Sequence, residues 1–151
     1  MDEWKEETFK MITVLVASYN GSRYIKQQLD SILAQDEKDI HILVSDDCSA
    51  DGSGELLKEY EERHRDRILV LFRRKPSGGA AAHFLKLLKL MADADHNPDA
   101  DHSTDADHDT EALPGPLSLL SEYEVTENQL ARLGPLARAD YFMLSDQDDV
   151  W

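Results

Sequence analysis

The residues best suited to chemistry gather at the end of the chain, where Asp146-Gln147-Asp148-Asp149 puts three carboxylates within four positions. Charges so close repel one another unless a cation or solvent relieves them. Mg2+ and Mn2+ favour oxygen ligands, and Mg2+ is commonly held by one or two carboxylates together with substrate phosphates. A strand-terminal Asp-x-Asp is therefore a natural seat for a metal-bound diphosphate; the plainer reading is an exposed acidic loop. The apolar flanks, Tyr141 to Leu144 before and Val150-Trp151 after, favour the first, because they predict carboxylates positioned by a core.

A second cluster begins at Asp46-Asp47 and continues through Ser49 and Asp51 to Ser53. A carboxylate at Asp47 can accept a hydrogen bond from a donor on a base or ribose. Turn and helix-cap work accounts for Asp51 and Ser53. In Ser18-Tyr19-Asn20 an aromatic ring stands among short polar groups and can lie against a planar base, although turn chemistry explains Asn20-Gly21 equally well. Gly78-Gly79 follows Arg73, Arg74 and Lys75, a composition that can bring backbone and positive charge to phosphates. His83, alone on the next helix, reads as structural or exposed rather than as a site residue.

Strands and helices must position these groups. Ile12 to Ala17 and Ile40 to Ser45 are apolar, β-branched runs of strand length, as is Ile68 to Phe72. Tyr141 to Leu144 makes a fourth strand. Helical spacing recurs over Arg23 to Gln35, with Ser22 placed to cap it, and over Gly54 to His64. It recurs again over Ala81 to Met91, whose apolar face is Phe84, Leu87, Leu88 and Met91. A further amphipathic helix is predicted over Ser118 to Leu133. Alternating strands and helices imply a mainly parallel, Rossmann-like α/β sheet, in which ligands bind beyond the carboxyl ends of the strands. All three polar clusters fall at those ends.

The whole chain, 151 residues with 41% hydrophobic content, suits one domain. A lone Cys48 excludes an internal disulfide and suits a reducing, cytoplasmic setting. The formal charge of −15 argues against nucleic-acid binding, which wants a basic face. Eight of the acidic side chains lie between Asp93 and Glu111, where Asp-Ala-Asp-His recurs three times with a six-residue period. That density of Asp and His is suggestive of metal, but the segment holds no apolar residue larger than Ala and reads as a solvated insertion.

Three segments taken in order resemble the family 2 glycosyltransferases of the GT-A fold: residues 14–21, 42–53 and 141–151. The match covers 11–91 and 139–151 of one partial domain, 1–151, with an acidic insertion at 92–112 and a second, partly helical one at 113–138. The closing Asp-Gln-Asp-Asp-Val-Trp is similar to a subgroup often described as rhamnosyltransferases. The resemblance implies that Ala17, Ser18 and Tyr19 line a nucleoside pocket and that Asp47 hydrogen-bonds uracil or thymine. It implies that Asp146 and Asp148 form the metal motif, Asp148 the direct ligand of Mg2+ or Mn2+, with Asp149 in support. Where relatives often carry Asn before the Phe of the third helix, this chain has His83.

The implied activity is inverting transfer of a sugar, in polysaccharide biosynthesis, from a UDP- or dTDP-linked donor to a glycan or lipid-linked acceptor. The full-length protein would associate peripherally with a membrane. The base is expected downstream of Trp151, so the chain reads as truncated after the Asp-x-Asp strand, a donor and metal half that transfers little or no sugar alone. Such a truncation is expected to cost stability and favour association. The alternative is a non-catalytic nucleotide-binding or interaction module. A dinucleotide oxidoreductase is disfavoured, because no Gly-x-Gly-x-x-Gly follows the first strand. A phosphoacceptor receiver domain would want its acidic pair after the first strand, not the second.

Overall fold

The computed structural model describes residues 10–36, 39–95 and 115–146. Its elements run β1 (Ile12–Ser18), α1 (Ile25–Leu33), β2 (Ile40–Asp46), α2 (Ser53–Arg63), β3 (Ile68–Arg73) and α3 (Ala80–Asp95). After the acidic segment come a 3-10 helix (Gly115–Glu122), β4 (Tyr123–Glu124), α4 (Glu127–Ala137) and β5 (Tyr141–Asp146). The strands form one sheet in the order β4-β3-β2-β1-β5. All neighbours are parallel except β4, which runs antiparallel to β3. The mainly parallel α/β architecture expected from the sequence is therefore present.

Continuous apolar strands are what a sheet covered on both faces requires. Alternate residues divide between two cores. Val14, Val16, Ile42, Val44, Ile68 and Val70 pack with Ile25, Leu29 and Ile32 of α1 and with Leu57 and Tyr60 of α2. Leu15, Leu43, Leu69 and Leu71 pack with Leu87, Leu90 and Met91 of α3 and with Leu133 and Leu136 of α4.

Several local expectations are corrected. Ser22 does not cap α1: the N-cap is Tyr24, without a side-chain bond, and the Ser22 N–H donates to Asp51 Oδ2 at 3.0 Å. Helix α3 continues past Met91 to Asp95, so residues 92–95 of the predicted insertion are helical, with Ala94 buried. On that helix Leu90 turns inward and Leu88 outward. The remaining Asp-Ala-Asp-His positions lie outside the described residues. The single helix predicted over 118–133 is a 3-10 turn, a two-residue strand and a helix that begins at Glu127. Its start is set by a capping box: Thr126 Oγ1 accepts from Gln129 N at 3.2 Å, and Gln129 Oε1 accepts from Thr126 N at 3.1 Å.

The two edges of the sheet are treated differently. Beyond β4, the open edge of β3 is bonded by side chains. Val70 N donates to Glu61 Oε2 at 2.6 Å, Gln129 Nε2 donates to Val70 O at 2.9 Å, and Arg132 Nη2 donates to Ile68 O at 2.6 Å. Such covering keeps an edge from pairing with another chain. At β5 the apolar flank expected to bury the acidic motif is instead 39–50% exposed at Tyr141, Phe142, Met143 and Leu144. The strand is held by its backbone ladder to β1 and by Gln28 Nε2 donating to Ser145 Oγ at 2.6 Å.

Leu87 is fully buried on α3, whereas Leu85 on the same helix is 67% exposed. Urea unfolding should therefore show Leu87→Ala costing about 2–5 kcal/mol and Leu85→Ala changing stability by about 0.5 kcal/mol or less.

Candidate functional site

The loops after β1 and β2 are tied together by short polar groups. Asn20, at a left-handed φ of 47°, donates its N–H to Ser49 Oγ at 2.8 Å. Its Oδ1 accepts from Ala50 N at 2.9 Å. Asp47 N donates to Ser18 O at 2.8 Å. Asp46 accepts from Ser49 N at 3.1 Å and from Ser49 Oγ at 2.7 Å, which makes it a turn residue. Asp51 does the local work expected of it. Burial pushes its carboxyl up, but hydrogen bonds from Ser53 and Ser22 more than offset this and hold it well below the usual carboxylate range.

Above these loops, at the carboxyl ends of β1, β2 and β5, lies a cleft of about 480 Å³. Ala17, Tyr19, Asp47, Cys48, Pro76, Gly78, Gly79, Ala80, His83 and Asp146 line it. The fold thus brings together four residues singled out in the sequence: Ala17, Tyr19, Asp47 and Asp146. Tyr19 is 56% exposed, leaving ring surface available. Ser18 is fully buried and off the wall. Asp148 and Asp149 lie outside the described residues. Gly78 and Gly79 adopt φ of 104° and 131°, a left-handed backbone that side-chain-bearing residues rarely take, so the loop needs glycine to turn here.

Asp47 is held from the far side of the cleft. Ser77 N donates to its Oδ1 at 2.7 Å and Ser77 Oγ donates to its Oδ2 at 2.6 Å. Arg73 Nε stands 3.5 Å from Oδ1. The guanidinium of Arg73, fully buried, pairs with Glu122 at 2.6 Å and lies 5.0 Å from the centre of the Tyr123 ring. Burial opposes that charge, but hydrogen bonding with Glu122 and Tyr123 outweighs it and raises the Arg73 pKa. The same bond holds Glu122 low. Arg73 therefore does not bring free positive charge to phosphates, as the basic loop had suggested; its charge is spent inside.

His83 is likewise not a surface residue. It is 2% exposed, and its Nε2 sits 2.7 Å from Ser45 Oγ, which is 3.0 Å from the Tyr123 hydroxyl. This contact was not legible in the sequence, because its three members are far apart in the chain and come together only through the sheet. Burial pushes the imidazole pKa down and Arg73 adds to this, against the opposing pull of Asp47, Asp46 and Asp146. Cys48, whose thiol donates to Arg73 O at 3.3 Å, is pushed up by burial and by Asp47 and Asp46, so it stays protonated and a poor nucleophile.

Asp146 places one carboxylate on the lining of the cleft. That suits Mg2+ or Mn2+, which take one or two carboxylates plus substrate oxygens. Among the described residues no group of three His, Cys, Asp or Glu side chains forms a complete metal cage.

The depressed His83 pKa has a sign. Above about pH 6.5 both folded and unfolded imidazoles are neutral and contribute nothing. As pH falls through that value the unfolded state takes up a proton that native His83 resists, so stability drops by up to about 1.4 kcal/mol per pH unit. Urea midpoints between pH 7.5 and 5.5 should fall more steeply for the wild type than for His83→Asn.

Residues 13–103 match the model of Glycosyl transferase family 2. The dTDP-rhamnosyl transferase RfbG of Shigella flexneri is 28% identical over 136 residues, 90% of this chain and 32% of that protein. The glycosyltransferase GlyA of Streptococcus pneumoniae is 41% identical over 71 residues, 47% of this chain and 10% of that one. The chain spans about a third or less of the length of the curated relatives it matches. Among solved structures, the mannosyltransferase PcManGT of Pyrobaculum calidifontis, in complex with GDP-Man and Mn2+, is 26% identical with a TM-score of 0.48. That match covers 53% of this chain and 24% of the other. With its cleft at the carboxyl ends of a mainly parallel sheet and a family match over residues 13–103, this chain belongs to glycosyl transferase family 2.

Proposed function

We propose that this chain is the donor- and metal-binding half of a GT-A-type inverting glycosyltransferase that moves a sugar from a UDP- or dTDP-linked donor to a glycan or lipid-linked acceptor. The observation that carries the reading is the cleft itself, where Tyr19, Asp47, the Gly78-Gly79 backbone and Asp146 meet at the strand ends. Tyr19 offers a face for the base. Asp47, an acceptor fixed by Ser77, suits an N–H donor such as that of uracil or thymine. Ala17 forms the floor on the β1 side, with Ser18 buried behind it.

Asp146, with Asp148 two residues on, would hold the Mg2+ or Mn2+. When bound, the ion stabilises charge developing on the departing diphosphate. None of the carboxylates at or beside the cleft is assigned as the base: Asp47 is engaged by Ser77, Asp46 by Ser49, and Asp146 would hold the metal. The reading therefore expects nucleotide binding with little or no sugar transfer by this chain alone. The dTDP-rhamnosyl transferase RfbG, which matches over 90% of the chain, supports a dTDP-linked sugar donor. No described helix is long and apolar enough to cross a membrane. We place the reaction in the cytoplasm, with the longer protein meeting a lipid-linked acceptor peripherally at a membrane.

Calorimetric titration with UDP and dTDP, each with and without Mn2+, tests this on the wild type, Asp146→Asn and Asp148→Ala. Binding should require the metal and weaken at least about tenfold in either variant, equivalent to about 1.4 kcal/mol. Binding that ignores both the metal and the two substitutions would sink the metal-donor assignment.

A further inference from the structure

We infer that Tyr123 is a positioning residue: through Ser45 it fixes the tautomer of His83, so that the imidazole Nδ1–H becomes a hydrogen-bond donor to an oxygen of the nucleotide-diphosphate donor. The inference rests on the donor-site reading for its ligand, but its geometry stands on the chain alone.

Three buried side chains form a line. The Tyr123 hydroxyl is 3.0 Å from Ser45 Oγ, and Ser45 Oγ is 2.7 Å from His83 Nε2. Their exposures are 1%, 0% and 2%, so each proton must find a protein acceptor. The direction of donation follows from the inventory of donors. The guanidinium of Arg73, which lies over the Tyr123 ring, has donors only and offers the phenol proton no acceptor. Ser45 Oγ is the hydrogen-bond partner of the phenol among the described residues, so the phenol proton turns toward it. Ser45 then directs its own proton to His83 Nε2, and a neutral imidazole that accepts at Nε2 carries its hydrogen at Nδ1.

The reverse arrangement, Nε2–H donating to Ser45 and Ser45 donating to Tyr123, would leave the buried phenol proton without an acceptor among the described residues. Such an orphan donor is costly. His83 Nδ1 has no hydrogen-bond partner among the described residues, and it is not among their fully buried, unsatisfied atoms. His83 lines the cleft together with Gly79 and Asp146. An N–H at this wall fits a phosphate or sugar oxygen. Tyr123 enters from the short antiparallel strand β4, beyond the residues matched by the family model, so a segment outside that match sets the chemistry of a group on the cleft wall.

Nitrogen-detected NMR of the His83 imidazole in the ligand-free protein, at a pH where the ring is neutral, reads the tautomer directly. The wild type should show the Nδ1–H form, and Tyr123→Phe or Ser45→Ala a mixture or the Nε2–H form. With Mn2+ and UDP or dTDP, Tyr123→Phe should bind roughly 3–10-fold more weakly, the size of one hydrogen bond. In a His83→Asn background the same change should have no further effect. An Nε2–H tautomer in the wild type overturns the relay. So does an equal loss from Tyr123→Phe whether or not His83 is present, since that would mark a packing effect. Failure of the wild type to bind either nucleotide would instead sink the donor-site reading and, with it, the ligand assigned to His83, while the tautomer remained measurable.

Discussion

A guanidinium fully enclosed by protein is the constraint around which the site is arranged. Arg73 ends β3 with its side chain at 0% exposure, in a place where an unpaired charge would be strongly unfavourable. It is tolerated because Glu122 pairs with it at 2.6 Å, Asp47 lies 3.5 Å away, and the Tyr123 ring faces it. Removing one partner of such a group typically costs about 3–5 kcal/mol, because the remaining charge is left without compensation. Those partners come from two distant parts of the chain, Asp47 after β2 and the adjacent Glu122 and Tyr123. Their shared dependence on one cation fixes the loop after β2, the loop after β3 and the 3-10 turn relative to one another.

That arrangement explains why the cleft has a defined wall. Asp47 is pinned at both oxygens by Ser77, which places the Gly78-Gly79 backbone opposite the end of β2. The loops after β1 and β2 are fixed to each other by the ties from Asn20 and Ser22 to Ser49, Ala50 and Asp51. Tyr19 and Asp146 remain exposed between these fixed walls. A preorganised cleft of this kind spends little on ordering itself when a ligand arrives.

The β5 side of the site is built on a different principle. Asp146 is carried by a strand whose large apolar side chains are about half exposed and whose alignment comes from its ladder to β1. Backbone register sets where the carboxylate stands, but side-chain packing among the described residues does little to stiffen it. The β3 edge differs: there Glu61, Gln129 and Arg132 take up backbone groups, whereas among the described residues no such side-chain bonds cover the backbone of β5.

Much of this was legible in the sequence. The β-branched runs at Ile12, Ile40 and Ile68 announced parallel strands, because only a strand buried on both faces reads as continuously apolar. The turn chemistry at Asn20 and Asp51 was local and so was readable from local residues. The sequence placed Ala17, Tyr19, Asp47 and Asp146 at strand ends, and the parallel topology makes strand ends converge. Other features were decided only by tertiary structure. Residues 115–137 form a 3-10 turn, a strand and a capped helix rather than one long helix, because Tyr123 is buried against β3 and Thr126-Gln129 restarts the helix. Arg73 looked like a phosphate-binding cation and became an internal strut, and His83 looked incidental and became part of a buried network. The partners of Arg73, Glu122 and Tyr123, lie 49 and 50 residues further along the chain, and the partner of His83, Ser45, lies 38 residues before it. Periodicity and local propensity carry no information about contacts at such separations; only the folded sheet brings them within hydrogen-bonding distance.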